Sequence, residues 1–114
     1  MTPSTWNEAI QSHCNEIRVL LSRKNLAYGK EPILEAGPMG IVSKLLSKVH
    51  RLRNLIVRDA TDGERLIGDE TVRDTLMDIA GYALIYLTVM DETFKLPTVL
   101  EETENDKARE ADSA

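Results

Sequence analysis

The sequence predicts an all-α fold, a small antiparallel helical bundle of three main helices plus a C-terminal segment, assembled as an oligomer. Two observations carry the fold class and a third carries the assembly. Apolar residues recur at three- and four-residue steps in three separate stretches, the period of a helix buried along one side. The segments between them hold glycine, proline and aspartate, which break helices. The third stretch, from Thr71 to Met90, is apolar on nearly every side, the pattern of a buried central helix. Three helices in a chain of 114 residues cannot cover such a helix, so other copies of the chain are expected to do it.

The first helix is expected from Ser4 or Thr5, either of which can cap it, to about Asn25, with Pro3 just before. Trp6, Ile10, Cys14, Ile17 and Leu21 make its apolar face, flanked by His13 and Leu20. Cys14 reads as a core residue. A packed loop is expected from Leu26 to Gly40, where Gly29, Pro32, Gly37, Pro38 and Gly40 oppose a long helix. The second helix is expected from about Met39 to Asp59, with Ile41, Leu45, Val49, Leu52 and Ile56 as its stripe. The third runs from about Glu70 to Glu92, after a turn-rich link. Phe94 to Leu100 is expected to dock on the bundle or on a partner. Residues 1–100 thus form one helical domain. Residues 101–114 form an acidic tail without large apolar residues, expected to be disordered.

Composition narrows the class further. Cys14 is the single cysteine, which excludes a disulfide scaffold. No apolar run is long enough to cross a membrane, and the N-terminus lacks the pattern of a signal peptide, so a reducing, cytoplasmic setting is expected. The net charge of −5 is concentrated at one end: the tail holds six acids against two bases. The rest is nearly neutral, and direct DNA or RNA binding, which wants a basic domain, is not expected. A small anionic ligand needs only a local basic cluster.

Such a cluster is legible. Lys44, Lys48, Arg51 and Arg58 form a basic stripe on the second helix, and Lys48 falls inside the apolar arc between Leu45, Leu52 and Leu55. On the third helix Glu70, Asp74 and Asp78 are spaced four apart, one carboxylate per turn, and Asp78 falls among apolar neighbours. Burying such charged groups costs on the order of several kcal/mol per ion unless an opposite charge answers them. One reading is an ion-pair network that sets the register of the helices. The other is a polyphosphate site, with Mg²⁺ held by the carboxylates and phosphate oxygens held by Lys48 and Arg51. Tyr28, amid Arg23, Lys24 and Lys30, is placed to stack on a base. Glu16 is a candidate fourth metal ligand. His13 reads as a core residue and His50 as a surface one.

The runs RKNLAYG, SKLLSKVHRLRNL and ETVRDTLMDIAGYALI together resemble the nucleotide modification associated domain, first type, a small helical family common in bacteriophages. The matching positions are Tyr28, Gly29, Lys48, Arg51, Leu52, Glu70, Asp74, Asp78, Tyr82 and Ala83, and the resemblance spans about Ser22 to Met90. The order of elements is also similar to that of the all-α NTP pyrophosphatases of the MazG and dimeric dUTPase type, oligomeric bundles that cleave nucleoside triphosphates with Mg²⁺. Their Glu-Glu-x-x-Glu is not matched, since the first helix offers only Glu8 and Glu16. The third helix offers Glu70-x-x-x-Asp74 rather than their Glu-x-x-Asp.

The resemblance implies a phage-type nucleotide-binding protein acting on nucleoside triphosphates as a Mg²⁺-dependent pyrophosphohydrolase. Asp74 and Asp78 would be catalytic, Glu16, Glu70, Asp74 and Asp78 would hold metal, and Lys48, Arg51, Tyr28 and Tyr82 would bind substrate. Two other functions stay open. One is sequestration of a nucleotide or a nucleotide-derived defence signal without cleavage. The other is a purely structural oligomeric interaction protein.

Overall fold

The computed structural model describes residues 2–62 and 71–99 of the chain. Among these it is all-helical, with α1 (Trp6–Tyr28), α2 (Glu31–Asp62) and α3 (Val72–Met90) and no strand. The chain divides into two compact units: residues up to Gly29 together with the segment from Pro97, and Lys30–Leu96. Glu70 and the tail 101–114 lie outside the described residues.

In the first unit, Thr5 caps α1 by accepting a hydrogen bond from the Glu8 amide, and the Ser4 amide donates to the Glu8 carboxylate at 2.9 Å. The first bond satisfies one of the helix's orphan donors, the Glu8 amide, and the second ties the residue before the cap to the first turn. The helix runs three residues past its expected end and stops at Gly29, whose φ of 77° and ψ of 178° suit glycine alone. The predicted apolar face is only partly used. Ile17 is buried and Leu21 half-buried, whereas Trp6, Ile10 and Cys14 are exposed. Cys14 and His13 are therefore not core residues. Beyond α3, Thr98 donates from its hydroxyl to the Asn25 side-chain oxygen at 2.6 Å.

In the second unit the expected loop is mostly helix. Glu31 begins α2 and only Gly37, with φ 69° and ψ −176°, interrupts it. Pro38 follows at the start of the resumed helix, where its missing N–H costs nothing. Glycine and proline by type suggest a loop here, but one glycine concentrates the break into a kink. Gly40 is required by the same kink, since a Cβ there would lie 2.5 Å from that of Ala36.

After the kink α2 packs on α3. On α2 the covered positions include Ile41, Leu45, Lys48, Leu52 and Leu55, alternating four and three apart, whereas Val49 and Ile56 of the expected stripe are 47% and 51% exposed, because the seam continues through Lys48 and Leu55 instead. On α3 they include Thr75, Asp78, Tyr82, Ile85 and Val89, with the same alternation. Ile41 and Thr75 are wholly buried. Thr75 satisfies its hydroxyl on the Thr71 carbonyl at 3.0 Å, which makes a polar group tolerable there.

α3 opens on a full capping box: the Thr71 hydroxyl accepts from the Asp74 amide and the Asp74 carboxylate accepts from the Thr71 amide. It closes with the amides of Thr93 and Phe94 both reaching back to the Thr88 carbonyl. This reversal puts Glu92 at φ 60° and buries Phe94. The sequence predicts that the helices of one chain cannot cover α3 fully, and within this chain α3 is not fully covered. Its α2-facing side is covered, but Leu76, Leu84, Leu87 and Met90 are between 41% and 65% exposed.

Candidate functional site

The two charges singled out inside apolar arcs meet. Lys48 Nζ lies 2.9 Å from Asp78 Oδ2, and the two side chains are only 22% and 17% exposed. Each sits in the covered stripe of its own helix, where the 4-3 spacing otherwise places Leu, Ile, Thr and Tyr. The pairing is a direct consequence of sequence. Lys48 takes the seam position three after Leu45, and Asp78 takes the one three after Thr75. A charged hydrogen bond of this length is of the stronger kind, but it was formed from two ions largely removed from water.

Around this pair the other candidates are distributed. Tyr82 is one turn beyond Asp78 on α3 and half-buried. Arg51 follows Lys48 by three positions on α2 and is exposed. Asp74 is one turn before Asp78, but exposed, and its carboxylate serves the start of its own helix. It accepts from the Thr71 amide at 3.1 Å and the Thr71 hydroxyl at 2.9 Å. Among the described residues no three His, Cys, Asp or Glu side chains converge to hold a metal ion.

Tyr28 and Glu16 belong to the first unit. Tyr28 is the last residue of α1 and 73% exposed. Glu16 faces His13 on the same helix, with Oε1 3.4 Å from the imidazole Nδ1. The Tyr-Gly pair has a structural cause: Gly29 supplies the positive φ that ends α1.

One functional-looking residue has a different job, and sequence reasoning missed it. Lys30, counted among the charges near Tyr28, donates to the Phe94 carbonyl at 2.7 Å and stands 5.1 Å from the centre of the Phe94 ring. It ties the start of α2 to the segment after α3. The partners are 64 positions apart, and no local spacing links them.

Comparison with known proteins finds no matching family model, no matching curated protein and no matching solved structure.

Proposed function

We propose that the protein binds a nucleoside triphosphate through the charged cluster of α2 and α3, as a homo-oligomer of pyrophosphohydrolase type. The observation that carries this reading is the Lys48–Asp78 pair in a seam otherwise built for apolar packing. Pairs of this kind add little to stability, and apolar replacements of similar volume are often neutral or stabilising. A ligand gives a reason to keep the pair. Lys48 and Arg51 supply positive charge to phosphate oxygens. Asp74 and Asp78, one turn apart, supply oxygen ligands of the type Mg²⁺ takes. When bound, Mg²⁺ neutralises charge on the phosphates and polarises them. Asp78 then has two partners to choose between, the Lys48 ammonium and the metal. Tyr82, one turn beyond Asp78 and half-buried, is the candidate to contact the ligand on that side. The resemblance of the Lys48-x-x-Arg51-Leu52 and Asp78 to Ala83 runs to a phage nucleotide family agrees with this assignment.

A second reading, retention without cleavage, is favoured by one observation. The Asp74 carboxylate is committed to the capping box, which leaves it less available to a metal or a water. The two readings part in one experiment. The protein is incubated with each nucleotide and Mg²⁺, and products and retained ligand are read by mass spectrometry. Monophosphate and pyrophosphate are the products expected of the first reading, and an unchanged, co-purifying nucleotide is expected of the second. Neither product nor retained nucleotide in any reaction would end both and leave the structural oligomer.

A further inference from the structure

The face of α3 turned away from α2 is apolar and open. Leu76, Ala80, Ala83, Leu87 and Met90 recur four, three, four and three apart, the spacing of a helix seam. Leu76, Leu87 and Met90 are 50%, 52% and 65% exposed, and Ala83 is exposed as well. A contiguous stripe of this kind on a surface marks an interaction site. Its order identifies the occupant.

Without Met90 at its C-terminal end, the stripe from Leu76 to Leu87 has the same plan read from either end: a leucine, two alanines, a leucine. Its centre falls between Gly81 and Tyr82. Two copies of α3 laid antiparallel about a two-fold axis at that centre bring Leu76 against Leu87 of the second copy and Ala80 against Ala83. The alanines let the helix axes approach closely, and the leucines close both ends. Interfaces between identical chains are most often of this isologous kind.

The charges obey the same symmetry. Arg73 and Asp91 are eighteen positions apart, about five turns at 3.6 residues per turn, so they lie along the same edge of α3. Their midpoint is Tyr82, within half a residue of the centre of the apolar stripe. The two-fold that matches leucine to leucine therefore also places each Arg73 beside the Asp91 of the other copy, twice per pair. A parallel arrangement would set Arg73 against Arg73 and Asp91 against Asp91. Sizes and charges thus select the same partner and the same direction.

We propose that α3 forms the core of a two-fold homodimer through Leu76, Ala80, Ala83 and Leu87, with Arg73–Asp91 contacts at both ends. This surface lies on the opposite side of α3 from Asp78, and its test needs no nucleotide. Sedimentation of the full chain at micromolar concentration is expected to give a multiple of the 12.8 kDa chain mass with an even number of copies. Leu87→Glu buries a charge at the closing position and is expected to weaken dimerisation about 30-fold or more, the loss of a hot-spot residue. Far-UV circular dichroism checks that its helices persist. Arg73→Asp and Asp91→Arg are each expected to weaken the dimer, and the double exchange to restore it, which a merely unfolded variant would not do. A monomer in the parent chain, or a dimer unaffected by Leu87→Glu and by both charge reversals, would overturn the assignment to this face.

Discussion

At the scale of single residues, Glu92 shows how a tertiary demand overrides local preference. The chain must reverse after α3 to bring Phe94 into cover, and the residue that reverses has φ 60°. Glycine takes that conformation freely, while an L side chain meets a penalty of about 1–2 kcal/mol. Glu92 also carries negative charge beside a helix C-terminus, the unfavourable end for an anion. Glu92→Gly is therefore expected to raise stability by about 1 kcal/mol, which for a domain of this size is a rise of about 4–8 °C in Tm. A lower Tm by differential scanning calorimetry would show that the glutamate side chain contributes something the backbone does not reveal. Gly37 is the opposite case. Its φ of 69° and ψ of −176° belong to a region open essentially to glycine alone. Gly37→Ala is expected to cost about 1–3 kcal/mol, read as a fall in the denaturant midpoint at unchanged m. An unchanged midpoint would mean that the kink can straighten without loss.

At the scale of elements, the helices are legible in the sequence where pattern and caps agree. Thr5 and Thr71 begin α1 and α3, and three of the five positions expected in the α2 stripe, Ile41, Leu45 and Leu52, are covered, while Val49 and Ile56 are exposed. The segment from Leu26 to Gly40 reads as a loop only while glycine and proline are weighed by type. Their actual effect depends on position. Gly29 ends a helix, Pro38 sits in a first turn where it is harmless, and Gly37 bends the chain in one place. The face of α1 also follows from spacing, yet spacing says only which residues share a side. It does not say what lies opposite, and Trp6, Ile10 and Cys14 are exposed. The Lys48–Asp78 pair is legible for the same reason as the helices. Each residue breaks an apolar seam, and two such breaks on packed helices find each other. The committed role of Asp74 is less visible. Thr71-x-x-Asp74 is a capping pattern, but the i, i+4 stripe with Glu70 and Asp78 points to metal binding instead.

At the scale of the whole molecule, the charged pair and the open apolar stripe have different physical origins. Under the proposed dimer the stripe on α3 is buried against another copy, which returns about 25 cal/mol for each Å² of apolar surface removed from water. The Lys48–Asp78 pair has no comparable return, since desolvation offsets much of its attraction. Such association would account for the leucines; it would not by itself account for the lysine. Under the proposed function the lysine is kept for its ligand, and that role can be separated from a register role by removing both charges at once. The Lys48→Met, Asp78→Leu double variant replaces the pair by apolar side chains of similar volume. Either single change leaves a largely buried charge without its counter-ion and is expected to cost about 1–3 kcal/mol, reduced from the fully buried case by the remaining exposure. The double variant is expected to recover that loss. The deciding measurement is the thermal shift produced by nucleoside triphosphate with Mg²⁺ in the parent and in the double variant. A ligand that prefers the folded state raises Tm, by about 2.7 kcal/mol of stability at a hundred times its Kd. A nucleotide site at the pair predicts a clear rise in the parent and none in an equally stable double variant. No shift in the parent for any nucleotide, together with a double variant that loses stability, would contradict such a site and leave the pair as a device of register.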